Sequence, residues 1–367
     1  MGCLLQQQFS YTKELTNISN AILFQQKAVE HTPDGHPSKA TCLAELGKSL
    51  QCRFAYTGEL SDISNAILFQ QKAVQLSPEG NLHKPVYFAN LGSSFYYRFT
   101  HTGELTDISD AISFLQKAVQ LTPEDHPSRL MYLAELGISL SYHFTYTGKL
   151  TDIALAISFQ QKVVQLAPKG HLSMPGYLSE LGKSLQCQFT HTGELSDISD
   201  AISFQQKAIQ LTPQGYPARP VYLANLGNSL RYQYQSTGEL TDISDAISFL
   251  QKAVELISPG HPSRPIYLAN LGHSLELKFL HTRELTDISD AISFQQKALQ
   301  LTPEGHPSRP VHLFELGNSL VYRFIYTEEL TDISDAISFH QKAVQLTPEG
   351  HPVRLGYLFS LGTSLGQ

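Results

Sequence analysis

The chain has little charge and no long apolar run. Asp, Glu, Lys and Arg make up only 16% of its 367 residues while 41% are hydrophobic, which excludes a disordered chain, poor in apolar and rich in charged residues. It also lacks a basic excess. With 26 Lys plus Arg against 33 Asp plus Glu and a net charge of -7, it has little of the counterion-driven affinity that binds phosphate backbones, so no nucleic acid is expected as a partner. Cysteine is scarce: Cys3, Cys42, Cys52 and Cys187 form no Cys-x-x-Cys pair and are too few for a disulfide framework. They read as free thiols in a reducing, cytoplasmic compartment. No apolar segment approaches the roughly 18 residues of a membrane-crossing helix and no charged-then-apolar leader opens the chain, so no membrane partner is expected. "MGCLLQ" approaches an acylation signal, but Gln6 stands where Ser or Thr is required.

What the chain does have is a period. Thr12, Thr57, Thr102, Thr147, Thr192, Thr237, Thr282 and Thr327 are spaced by 45 residues, and Leu15, Ile18, Ala21, Ile22, Phe24, Gln26 and Lys27 recur in all eight copies. Residues 1–367 are therefore expected to form one array of eight 45-residue units rather than distinct domains. Each unit holds two helical patterns. In the first, helix A, Leu43, Leu46, Gly47, Leu50 and Phe54 lie on one apolar stripe. A Ser cap and a first-turn Pro, as in Ser263 to Pro265, start it, and a Thr-Gly pair with Gly238 in the left-handed region ends it. In the second, helix B, Ile243, Ala246, Ile247, Phe249, Leu250, Ala253 and Val254 cover more than half the surface, as a helix wedged between its partner and the next unit requires. Asp242 and Asp245 read as first-turn charges that favour the helix dipole. The recurrent glycine inside helix A costs about 1 kcal/mol relative to Ala, and its retention predicts a close approach of helix B.

Leu223-x-x-Leu226-Gly227-x-x-Leu230 followed by Ala246 and Ala253, with Pro213 after Ala208, resembles the tetratricopeptide repeat pattern, with Leu in the aromatic first position. The longer unit, with its "TGELTDISDAI" and "GHPSRP" phrases, resembles the tetratricopeptide arrays that accompany CHAT domains, a family of caspase-like peptidases. The resemblance spans essentially the whole chain. It implies an all-α, right-handed solenoid, a superhelix whose A helices line a concave groove, and a CHAT domain downstream in a longer parent protein. The register of the repeat aligns Met1-Gly2 with Leu46-Gly47 and ends the chain inside a further helix A, so partial helices are expected at both ends, as in a fragment.

No catalytic constellation stands out. The acidic residues Glu239, Asp242 and Asp245 recur as helix-start charges, the histidines of the "GHP" connections lie in separate units, and no Cys accompanies a His as nucleophile and base. The Tyr or His column from Tyr56 to Tyr326 reads as packing. No phosphate-binding glycine loop is present. The chain is thus expected to be no enzyme and to need neither cofactor nor metal.

The informative positions are those that the copies do not share. On the stripe of helix A opposite the apolar one, the copies read Lys48, Ser93, Ile138, Lys183, Asn228, His273 and Asn318 at one position and Gln51, Tyr96, Ser141, Gln186, Arg231, Glu276 and Val321 at another. In tetratricopeptide proteins the matching face contacts peptides. These fourteen residues are the candidate ligand positions, and the expected activity is that of a noncatalytic scaffold for a protein or peptide. The alternatives are the recognition arm of a CHAT-type peptidase and an RNA-binding helical repeat.

Overall fold

A computed structural model describes residues 2–366, with the side chain of Ser10 outside the description. Among these residues every regular element is an α-helix. The A helices are α1 (Gly2–Thr12), α3 (Lys39–Thr57), α5 (Lys84–Thr102), α7 (Pro127–Thr147), α9 (Met174–Thr192), α11 (Arg219–Thr237), α13 (Arg264–Thr282), α15 (Arg309–Thr327) and α17 (Arg354–Leu365). The B helices are α2 (Leu15–His31), α4 (Leu60–Leu76), α6 (Leu105–Leu121), α8 (Leu150–Leu166), α10 (Leu195–Gln210), α12 (Leu240–Leu256), α14 (Leu285–Leu301) and α16 (Leu330–Leu346). They form two compact units, Met1–Gln188 and Phe189–Gln367. Within each, an A helix packs on the B helix that follows it, that B helix packs on the next A helix, and consecutive A helices touch. This is the stacking of an α-solenoid, in which each repeat buries the face its neighbour leaves open.

The recurrent residues account for the repeat one contact at a time. A Cβ on Gly47 would lie 2.6 Å from Cγ of Gln70 and 3.0 Å from the Ala66 carbonyl, and one on Gly227 would lie 2.7 Å from Cγ of Leu250. The glycine is retained because helix B lies against it. The Thr column turns the A-to-B corner: Thr57 Oγ1 donates to the Arg53 carbonyl at 3.0 Å and accepts from the Glu59 amide at 3.3 Å, and Thr102, Thr237, Thr282 and Thr327 repeat both bonds. After it Gly58 (φ 74°) and Gly238 (φ 74°) close the helix in the left-handed region, a conformation that Arg283 (φ 63°) and Glu328 (φ 56°) also adopt at the cost of Cβ strain.

The start of helix A differs from expectation. Ser263 and Ser308 make no side-chain cap and sit in the right-handed region. The cap is the histidine two residues earlier, whose Nδ1 accepts from the serine amide: His36 from Ser38, His171 from Ser173, His261 from Ser263 and His306 from Ser308, each at 3.1 to 3.2 Å. Where Asn81 replaces the histidine, its Oδ1 takes the amide of His83 at 2.8 Å. An imidazole nitrogen one bond from Cγ imitates the Asx turn, so the loop histidines are structural. The next residue fastens the connection. Arg264 donates to the carbonyls of Val254 and Ile257 at 3.0 and 2.9 Å, Arg219 to those of Ile209 and Thr212, and Lys39 to those of Val29 and Thr32, pairing carbonyls that the end of helix B leaves open.

The first-turn aspartates of helix B are more than dipole charges. Asp62, Asp107 and Asp332 are buried and take two-pronged bonds from Arg53, Arg98 and Arg323 of the preceding A helix at 2.5 to 2.7 Å. His143 and Lys278 hold Asp152 and Asp287 by single bonds from the same helix position, at 2.6 and 3.0 Å. At Asp242 the A-helix residue is Gln233, Thr237 is the bonding partner at 3.4 Å, and burial raises the carboxyl above its ordinary range. The Tyr or His column packs as expected: His101 lies on Phe54, Tyr146 on Phe99 and Tyr326 on Phe279, each ring edging the phenylalanine of the repeat before.

Candidate functional site

Helix A buries its Leu43-Leu46-Leu50-Phe54 stripe, and the two flanks differ. The flank through positions 44 and 51 faces the next A helix: Ala44, Ala89, Ala134, Ala224 and Ala269 are buried, and so are Ser141, Arg231, Glu276 and Val321. The accessible stripe therefore runs one residue further on, through Thr41, Glu45, Lys48 and Cys52 in the first full A helix.

This places the fourteen candidates in two groups. Lys48 is exposed, while Ser93, Ile138, Lys183, Asn228, His273 and Asn318 are half-buried and reach the surface. Of the other column Gln51, Tyr96 and Gln186 are half-buried, whereas Ser141, Arg231, Glu276 and Val321 lie between A helices. Two columns beside them were not among the candidates. One reads Glu45, Asn90, Glu135, Glu180, Asn225, Asn270 and Glu315, the other Cys52, Tyr97, Tyr142, Cys187, Tyr232, Leu277 and Tyr322, and all of these residues are at least half-exposed or half-buried at the surface. The first alternates only between Glu and Asn and so shows little variation; the second is aromatic and mimics a core position.

In the first unit the face is tied by rings. Tyr96 meets Tyr142 edge to face at 5.5 Å, Lys183 lies 4.9 Å from the centre of the Tyr142 ring and 3.0 Å from Glu180, and Ser93 donates to Glu135 at 2.6 Å. Burial raises the carboxyl of Glu135 above its ordinary range. Tyr97, beside them, is 37% exposed.

In the second unit the same positions are ionic. Glu276, 5% exposed, accepts from the Ser319 hydroxyl and, at 3.5 Å, from Gln295 of helix B. Burial, reinforced by Glu315, pushes its carboxyl up to about 7. His273 stands 3.9 Å from Glu276, and burial together with the nearby Arg231 lowers it to about 4. Arg231, 8% exposed, stacks 4.4 Å over Tyr232, and its Nε has no hydrogen-bond partner among the described residues. His312 and Glu315 approach to 3.9 Å. A buried guanidinium without a carboxylate is costly, as is a buried carboxylate held only by neutral donors.

Among the described residues no group of three or more His, Cys, Asp or Glu is arranged to hold a metal ion, and no helix is long and apolar enough to cross a membrane.

No protein-family model and no curated protein matches the chain. Solved structures do. The apo form of the quorum sensor NprR from B. thuringiensis is similar over 98% of this chain and 96% of its own at 11% identity, with a TM-score of 0.56. A human IFIT1 dimer with PPP-AAAA is similar over 95% of this chain and 68% of its own at 13% identity, with a TM-score of 0.55. The TPR-like repeats of a putative kinesin light chain from Podospora anserina match 59% of this chain at 17% identity, with a TM-score of 0.43. At these identities the likeness concerns the fold alone: an array of paired α-helical repeats.

Proposed function

We propose that the chain is a noncatalytic scaffold whose units each bind an extended protein or peptide segment along the accessible stripe of their own A helices. The observation that carries this is the tyrosine column. Tyr97, Tyr142, Tyr232 and Tyr322 recur at one surface position, on a different face from the Tyr or His column that packs on the preceding repeat, each flanked by a Glu or Asn and by the residue that changes most between copies. Half-exposed tyrosines with a rigid backbone and a polar tip are what protein interfaces are enriched in, and the neighbouring changes supply selectivity. Affinity would accumulate from modest contacts on successive helices.

Selection of displayed random peptides on the purified chain tests this. Enriched peptides should bind with micromolar affinity and lose at least tenfold when Tyr97 and Tyr142 are both changed to Ala, while Tyr56→Ala, on the packing column, leaves binding within a factor of two. Failure to enrich any peptide, or equal binding by the double variant, rejects the assignment; retention of single-stranded RNA instead would transfer the stripe to nucleic acid.

A further inference from the structure

In an array of near-identical copies, a cluster of departures in one place marks a position released from the common pattern. The connection from α4 to α5 is such a place. Where the seventh full copy reads Gly305-His306-Pro307-Ser308-Arg309-Pro310, the second reads Gly80-Asn81-Leu82-His83-Lys84-Pro85, and three residues on Phe88 replaces the leucine found at Leu43, Leu133, Leu178, Leu223, Leu268 and Leu313. These substitutions converge in space. Leu82, His83, Lys84 and Phe88 all line a cavity of about 1100 Å3 between this connection and the one from α6 to α7. The equivalent cleft of the second unit, between residues 305–311 and 346–357, keeps the common sequence at the 305–311 connection, carries Val353 in place of Ser at the other, and measures about 280 Å3.

The cavity has a cationic side and an apolar floor. Arg309, in the small cleft, is held by the carbonyls of Leu299 and Thr302. Lys84, its counterpart, makes no such bond and has no acidic partner within ion-pair distance among the described residues. Lys117 reaches the same space from helix B, with its ammonium 5.7 Å from the Phe88 ring and 5.2 Å from the Phe114 ring, and no carboxylate beside it. Val86 and Phe88 form the floor, and Leu121, 53% exposed, and Leu82, 94% exposed, stand at the rim. Glu79 is the one acid in the lining. Lys84 is a half-buried cation at a departure from the common sequence, and Lys117, the exposed lysine that every copy carries, brings a second positive charge to the same mouth; over the rings and aliphatic groups beneath, the lining suits an anionic head on a hydrocarbon body. The volume is on the scale of small-molecule sites, ~300–1000 Å3.

We propose that this cavity is a second, independent site that takes a small anionic amphiphile, with a carboxylate or sulfonate head at Lys84 and Lys117 and an aliphatic or aromatic body on Val86, Phe88 and Leu121. It lies at the B-to-A connections and shares no residue with the tyrosine stripe. The exposed Leu82 folds over the body, which removes apolar surface from water on both partners.

The test uses dodecanoate as the probe, titrated calorimetrically into the full chain, with dodecyltrimethylammonium as the charge-reversed control. Restoring the common repeat with Leu82→Pro, His83→Ser, Lys84→Arg and Phe88→Leu gives a variant that folds as its sister repeats do. The expected result is micromolar binding of dodecanoate, at least tenfold weaker for dodecyltrimethylammonium, and a loss of at least tenfold in the restored variant, while Leu172→Pro, at an exposed leucine outside the cavity, changes nothing. Absence of binding up to 1 mM, equal affinity for the cationic probe, or undiminished binding by the restored variant each overturns the proposal. Lys84→Gln alone should cost less than the full restoration but more than Leu172→Pro; no loss would remove the lysine from the site.

Discussion

The A-helix face of the first unit is organised by aromatic rings and that of the second by ions. Tyr96, Tyr142 and Lys183 interlock in one; Arg231, His273, Glu276 and Glu315 crowd together in the other. Both rest on the same framework of glycine contact and threonine corner, while an arginine fastens each connection of the second unit at 219, 264, 309 and 354 and only Arg129 does so in the first. Because the two shared devices hold each repeat to itself, the residues between A helices are free to change chemistry without changing the backbone. The two faces thus present different surfaces to a partner from one architectural plan.

If the framework is truly common, its loss must be equally severe in both halves. Leu91→Asp and Leu316→Asp, at positions 1% exposed, should each remove more than about 4 kcal/mol in urea unfolding, since each strands a charge in the core. A mild effect in one unit alone would show that the repeat means different things in the two.

The ionic face should give the second unit a two-sided pH signature, where the face of the first carries the raised carboxyl of Glu135 without a lowered histidine beside it. The raised carboxyl of Glu276 keeps a proton that the unfolded chain releases near 4.5, so its contribution to stability falls as pH rises from about 4.5 to about 7. His273, lowered from 6.5 to about 4, acts in the opposite sense: its contribution is lost as pH falls through that window, and His340, lowered by burial, adds to it. The opposed contributions flatten the profile between about 4.5 and 6.5. Glu276→Gln removes one side. Stability of the variant should climb from pH 4 to 6.5 and exceed the wild type at pH 8 by on the order of 2 kcal/mol; an unchanged profile would detach Glu276 from the stacking of α13 on α15.

Smaller effects sharpen the comparison inside the core. Gln25, Gln70, Gln160 and Gln205 are buried on helix B with no hydrogen-bond partner for either amide atom among the described residues, while Leu115 and Leu250 occupy the same position in other repeats. Gln70→Leu should therefore stabilise by about 1–2 kcal/mol, read as a shift in urea midpoint, and Leu250→Gln should do the reverse. At the corner, Glu328→Gly should gain about 1 kcal/mol by relieving the left-handed strain, and Gly58→Glu should lose as much. A thermal melt separates these from the wild type.

Much of this was legible in the sequence. The period, the helix pair, the close approach at Gly47 and the glycine corner at Gly238 each follow from local patterns with a single physical solution. Three features were not. The histidine of "GHP" and the serine after it are both plausible caps, and only the loop geometry decides for the histidine. Asp62 looks like a dipole residue because its partner Arg53 lies across a corner, on a different helix. The burial of Arg231 and Glu276 is not legible because variation between copies reads as exposure, whereas these two vary inside an interface between A helices. Column 45 holds only Glu and Asn, a pattern that does not mark a variable surface in the sequence.

The bonds that join one repeat to the next span a narrow range of sequence: Ser93 to Glu135 crosses 42 residues, Glu276 to Ser319 crosses 43, and Thr41 to Tyr87 crosses 46. Every such bond closes as soon as one further unit is available. During synthesis, a nascent chain of this kind never waits for its distant end; each 45-residue increment docks on the last as it emerges, and folding keeps pace with translation as a zipper does with its slider.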